Sequence, residues 1–242
     1  MNVPHPSRGL LRCLLLCAWL GGLIAGAQTL APNPESVGLW AGEVTLNQVT
    51  YARGGTNGPT VDAAQMRLVL HVSTNGEVRL LKDVMLVRRR SPLRPTSVDP
   101  TGESNWMLVT DSSLLPTIRS LTKRSGRFIG QRISTVGYDF EGLDRPLAGG
   151  IGRNFRCEGI LPLPADHPTN PFRHRYHPEH GTGLPIQRQI ALRFTAPATI
   201  VNGGTQWFGD YEETITGLHR APLTVRGTVT LNRISMLGFL NQ

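Results

Sequence analysis

Four of the chain's seven histidines fall in one short stretch, Asp166-His167-Pro168-Thr169-Asn170-Pro171-Phe172-Arg173-His174-Arg175-Tyr176-His177-Pro178-Glu179-His180. Imidazole is the commonest biological metal ligand, and mixed histidine and carboxylate sets suit zinc or a similar divalent ion. His174, His177 and His180 could supply three nitrogens, with Glu179 as a fourth ligand or as a base. His167 lies in the same stretch, and His219 and His71 are candidates from elsewhere. A metal held this way would acidify a bound water and support hydrolysis.

The spacing weighs against that chemistry. In H-E-x-x-H the histidines are four apart on a helix and the glutamate between them has a defined role. Here His177 and His180 are three apart, and Pro178 disfavours helical geometry at His177. Arg173 and Arg175 would repel a cation unless their guanidinium groups turn away. The competing reading is a solvated, proline-stiffened loop whose histidines bond to backbone and water, and the residues favour it.

Other chemistry-bearing residues are sparser. Arg88-Arg89-Arg90, with Arg94, is a basic run of the kind that meets nucleic acid or an anionic surface. Glu212 and Glu213 are adjacent, so in a strand they face opposite ways and make no acid/base pair. Asp139, Glu141 and Asp144 could hold calcium, but they lack the spacing of a calcium loop. No G-x-S-x-G, P-loop or dinucleotide fingerprint occurs in the sequence.

These residues must be positioned mainly by strands. Side chains on a strand alternate between its faces. Gly42 to Asn47 alternates small or apolar with polar. Met66, Leu68, Leu70 and Val72 share one face, with Arg67 and His71 on the other. Ser73-Thr74-Asn75-Gly76 then separates that run from Val78, Leu80, Val84 and Leu86, and Asn-Gly between such runs predicts a hairpin. Lys82 interrupts the second run and reads as a bulge.

Arg127 to Val136 predicts a further strand. Phe155, Cys157 and Leu161 share a face. Ile186, Arg188, Ile190, Leu192 and Phe194 share another. Tyr211 to Thr216 and Leu223 to Ile234 read as a closing pair. About eight strands result, which predicts an all-β domain, an antiparallel sandwich or small barrel. Ser112 to Lys123 has the length of a short helix. Thr56 to Pro59, Ser91 to Pro100 and Leu161 to Pro185 read as loops. The last is unusually long, and long ordered loops are often functional.

The totals agree with one β domain. The chain has 242 residues, 39% hydrophobic and 17% charged, too apolar for disorder and too polar for a membrane protein. Its 27 glycines and 18 prolines suit many short strands joined by turns. With 6% aromatics, a sugar platform of stacked rings is disfavoured.

Residues 1–27 predict a signal peptide: Arg8 and Arg12, then the apolar run Cys13 to Ile24, then Ala25-Gly26-Ala27 before Gln28. The run is shorter than the roughly 20 residues of a membrane span. Cys17 follows three leucines, which argues against a lipid anchor there. Without this leader, 23 basic and 17 acidic residues leave a formal +6. Cys157 would be the one remaining cysteine, expected to be buried and inert, and no internal disulfide could form. That absence favours a bacterial envelope or secreted protein. The expected layout is a linker over 28–37 and a single domain over 38–242.

Three stretches together resemble an uncharacterised family of exported bacterial β-rich domains, often found within larger surface proteins. They are Gly38-Leu39-Trp40-Ala41-Gly42-Glu43-Val44-Thr45-Leu46-Asn47-Gln48-Val49, then Tyr176-His177-Pro178-Glu179-His180, then Gly209 to Arg220 running into Gly227-Thr228-Val229-Thr230-Leu231. The resemblance spans Gly38 to Ile234 and implies no particular activity; it draws attention to His177, His180 and His219.

The expectation is an exported, non-enzymatic β domain with a structural or ligand-binding role. The alternative is a metal-dependent hydrolase using the histidine-rich loop. An anionic glycan or envelope surface is the candidate partner. Nucleic acid is disfavoured by export, and an outer-membrane barrel by the lack of aromatic girdles and lipid-facing apolar bands.

Overall fold

The computed structural model describes residues 34–50, 58–88, 105–110, 130–151, 156–172, 183–195, 199–201, 204–219 and 221–241. They belong to one compact unit, Ala31–Gln242. After a 3-10 turn at Pro34–Ser36, the described chain is built of strands. These are β1 (Gly38–Val49), β2 (Gly58–Val72), β3 (Val78–Leu81), β4 (Asp83–Arg88), β5 (Trp106–Val109) and β6 (Gly130–Ser134). They continue with β7 (Asp144–Gly150), β8 (Arg156–Leu163), β9 (Ile186–Phe194), β10 (Thr199–Val201), β11 (Gly204–Thr216) and β12 (Leu223–Ser235).

Eight of these strands close into an antiparallel barrel in the order β11-β12-β1-β2-β3-β7-β8-β9, with β9 returning to β11. The closing ladder runs from Gly209↔Phe194 to Thr216↔Gln187. Short β10 adds to the start of β11, and β5-β4-β6 form a separate three-stranded sheet. Among the described residues no helix is long and apolar enough to cross a membrane.

Alternation sorts the side chains. Trp40, Val44, Met66, Leu68, Leu70, Leu80, Cys157, Leu161, Ile190, Leu192, Trp207, Tyr211, Val229 and Leu231 point inward and fill the barrel. An eight-stranded barrel is just wide enough for side chains to fill, so this interior is a packed core and not a lumen. Trp207 sits edge-on to Trp40 and Phe194, with ring centroids 5.9 and 5.4 Å away. Cys157 is buried here as expected, and burial pushes its thiol up to about 12. A thiol so protonated is a weak nucleophile.

The small sheet covers part of the barrel's outer face. Leu39, Ala41, Val69 and Leu81, which point outward, pack against Val84, Leu108 and Ile133 in a second core. This divides the run from Val78 to Leu86: Val78 and Leu80 face the barrel core, and Val84 and Leu86 the second core. Lys82 is not a bulge within one ladder; it is the point where the chain leaves the barrel for the second sheet, its N–H held by Leu143 O at 2.7 Å. Its ammonium donates to Asp139 Oδ1 at 3.1 Å and to the Phe140 carbonyl.

Two loops differ from expectation. Gly58 and Pro59 are the first residues of β2, where a loop is expected. The long loop starts at Pro164, because Leu161 to Leu163 continue β8 in pairing with β9. The Asn75-Gly76 hairpin is present, joining β2 to β3. Gly76 alone takes the left-handed conformation, at φ 86°, so the turn is not the two-residue type with both central residues left-handed. Ser112 to Lys123, Ser91 to Pro100 and Arg89, Arg90 and Arg94 lie outside the described residues.

Candidate functional site

The strand directions bring the long loop and the turn after β11 to one end of the barrel. β8 and β11 both run antiparallel to β9, so Leu163 and Thr216 finish where Ile186 begins. The segment Val136–Phe140 packs at this end. Gly137, at φ 84°, has no room for a side chain: a Cβ would lie 2.6 Å from Met66 Cγ.

Period two also places two charged groups inside this end. Arg188 lies in register with Ile186 and Ile190, and Glu213 with Tyr211 and Ile215. The Glu213 side chain is 1% exposed and that of Arg188 15%. Arg188 donates through Nε to Oε1 and through Nη2 to Oε2 at 3.0 Å. Its Nη1 donates to the Gly137 carbonyl at 2.8 Å, and its guanidinium lies 4.7 Å from the Tyr138 ring centre. Tyr211 Oη donates to Glu213 Oε2 at 2.8 Å.

Burial alone would disfavour the charge on Arg188, but its hydrogen bonds to the Glu213 carboxylate outweigh this and hold the guanidinium above its ordinary range. Burial raises the phenols of Tyr138 and Tyr211, so both stay neutral. The Tyr138 ring sits edge-on to that of Tyr211, with centroids 6.4 Å apart. This arrangement is a buried ion pair whose two charges offset each other, fixed in place by hydrogen bonds from Arg188 and Tyr211 to the Glu213 carboxylate.

Outward from the pair, a shallow cavity of about 330 Å³ is lined by Tyr138, Leu163, Pro171, Ile186, Ile215 and Leu218, with Arg188 and Asp139 also contributing. Its walls are mainly apolar. On the rim, Thr169 Oγ1 donates to Asp139 Oδ2, and His167 Nδ1 lies 2.9 Å from the same hydroxyl. The Thr169 N–H also points at Nδ1, at 3.4 Å, so the ring tautomer sets which of the two contacts is the hydrogen bond. Burial raises the Asp139 carboxyl, but the bonds from Thr169 and Lys82 overcome this and hold it below its ordinary range. Asn170, 3% exposed, ties the loop together by donating to Pro164 O at 2.9 Å and Leu184 O at 2.8 Å.

Of the predicted ligands, His167 and His219 therefore belong to the same end of the barrel. His219 is exposed in the turn after β11, beside Leu218, and its Nδ1 accepts from Ala221 N–H at 3.3 Å. His174, His177, Glu179 and His180 lie outside the described residues. Among the described residues no three His, Cys, Asp or Glu side chains are grouped to hold a metal.

His71 does not join this end; it sits near the end of β2, at the opposite rim, facing outward yet 2% exposed. The calcium set is also dispersed over three cations: Asp139 pairs with Lys82, Asp144 with Arg79 and Glu141 with Arg145. Glu212 and Glu213 do face opposite ways, Glu212 pairing outside the barrel with Arg226.

Neither member of the ion pair carries a motif of its own in the sequence. The pair's signal is Arg188 itself, a cation in an otherwise apolar register, which requires a buried acid. Glu213 is the acid in the matching inward register of β11. A comparison with protein-family models and with curated proteins finds no match for this chain.

Proposed function

We propose that this protein is an exported, non-enzymatic β-barrel domain that binds an apolar group at the end of the barrel carrying the long loop. One observation supports this most: the barrel is filled, its buried charges neutralise each other, and the concave surface left at that end is apolar. Small-molecule sites are typically concave and mostly apolar, with a few placed polar groups. Arg188 and Asp139 are those groups, both fixed by partners. The family resemblance over Gly38–Ile234 and the leader-like residues 1–27 support an envelope or extracellular setting. The charged outer positions Arg156, Glu158, Asp210, Glu212 and Arg226 favour water over lipid outside the barrel.

The test uses anilinonaphthalene sulfonate, a fluorescent apolar probe. Leu218 is 37% exposed, so Leu218→Asp places a charge on the cavity wall with little effect on the core. The expected result is binding weakened by roughly tenfold, with unchanged melting. Equal binding by both proteins would reject the cavity as the site.

A second reading keeps the metal-dependent hydrolase, because His167 and His219 come from two different connections at the same barrel end. His174, His177 and His180, with Glu179 as base or further ligand, would complete it around zinc or a similar ion. Metal analysis of the purified protein separates the readings. A stoichiometric metal, lost in His177→Ala/His180→Ala, would favour the hydrolase. Metal-free protein whose melting chelator leaves unchanged would remove it.

A further inference from the structure

The chain after β12 forms a strap across the outer face of the barrel and onto the small sheet. Ser235 Oγ accepts from Leu237 N–H at 3.1 Å, and Gly238 O from Thr74 N–H at 3.3 Å. Leu237 and Leu240 pack against the second core. Leu240 bridges Leu108 in parallel, Asn241 N–H donates to Leu108 O, and Asn241 Oδ1 accepts from Thr110 N–H at 2.9 Å. The strap thereby covers the edge of β5 that β4 leaves open.

His71 lies under this strap. Its Nε2 is 3.1 Å from Leu237 O, and its Nδ1 is buried with no hydrogen-bond partner. The carbonyl has no proton, so Nε2–H donates and Nδ1 is the bare nitrogen of a neutral ring. What faces the ring cannot stabilise a second proton. Across the ladders stand Leu39 on β1 and Arg79 on β3. The neighbouring acids are already taken, since Arg79 holds Asp144 at 2.7 Å and Glu77 at 3.9 Å. The strap presents the Leu237 carbonyl, already used by Nε2.

We propose that His71 is an acid-sensitive latch: protonation of its ring releases the strap Met236–Asn241, uncovering the edge of β5 and the apolar side chains beneath. A proton on Nδ1 would be a buried donor without an acceptor, beside a guanidinium. Opening the strap gives it water. Burial holds the closed ring below its ordinary range, with Arg79 adding to the effect and the Leu237 bond opposing it. The open form therefore binds the proton more readily. Strap protection is full above the ordinary histidine range, near pH ~6.5, and falls as pH drops below it. The opening equilibrium then rises by up to about tenfold per pH unit.

Hydrogen exchange of the protein at pH 7.5 and 5.5, corrected for intrinsic rates, tests this. The expected result is a severalfold loss of protection, up to about tenfold, in 236–241 and 106–110 at the lower pH, with β11 and β12 unchanged. His71→Gln retains a donor for Leu237 O but gains no charge, so its strap should stay protected at both values. Loss of protection in the Gln variant equal to that of the wild type, or loss spread evenly over the barrel, would overturn the latch. If the Gln variant does not fold, titration of the wild-type His71 ring by NMR decides the question. A midpoint below the ordinary range, shared with the Leu237 and Leu240 methyls, supports the latch, and methyls that do not follow the ring overturn it.

Discussion

Glu213→Leu is expected to destabilise the protein by about 3–5 kcal/mol, while Arg188→Met/Glu213→Leu together cost far less. Removing the carboxylate alone leaves the guanidinium inside the barrel with only the Gly137 carbonyl as a strong acceptor. It also strips the Tyr211 hydroxyl of the oxygen it donates to at 2.8 Å. An uncompensated buried charge is among the few causes of losses this large. Removing both charges takes away the desolvation penalty along with the attraction, so the double variant should recover most of the loss. Urea unfolding of the wild type, Arg188→Met, Glu213→Leu and the double variant measures this, provided the slope with denaturant stays the same. Additive losses would mean that the two side chains are solvated separately and the ion pair is not the link between β9 and β11.

Trp207→Ala should cost a similar amount, about 3–5 kcal/mol, and lower the melting temperature by on the order of 10 °C. Trp207 is 1% exposed and contacts rings on β1 and β9, strands on either side of the barrel wall that β11 and β12 complete. Its loss leaves a cavity between Trp40 and Phe194, and neither can collapse into it without shifting a strand. Trp207→Phe keeps a ring and should lose much less. Thermal melts of the three proteins check the order.

What the sequence revealed depended on range. Period-two runs such as Met66–Val72 and Ile186–Phe194 assign the faces correctly because alternation is a local property. Closure of the barrel rests on β9 meeting β11, and no local pattern encodes that pairing. β7 has no alternation to read: Pro146, Gly149 and Gly150 weaken it, and its pairing with β3 and β8 makes it a strand. Alternation likewise gives a side chain's face but not what covers that face. His71 reads as a polar, outward residue, and it is buried because the small sheet and the C-terminal strap lie on that side. Arg188 appears in the inward register, but its partner comes from a strand 25 residues away. In the candidate site, the gathering of His167, His219 and the long loop at one end follows from strand direction, which requires the topology.

The central claim, that recognition occurs at the loop end of a filled barrel, is tested most directly by methyl NMR of the protein titrated with anilinonaphthalene sulfonate. The methyls of Leu163, Ile186, Ile215 and Leu218 should shift, while those of Leu68, Leu161, Leu192 and Leu231 stay fixed. Shifts concentrated on the interior methyls, or no shift at the loop end at saturating probe, would contradict it.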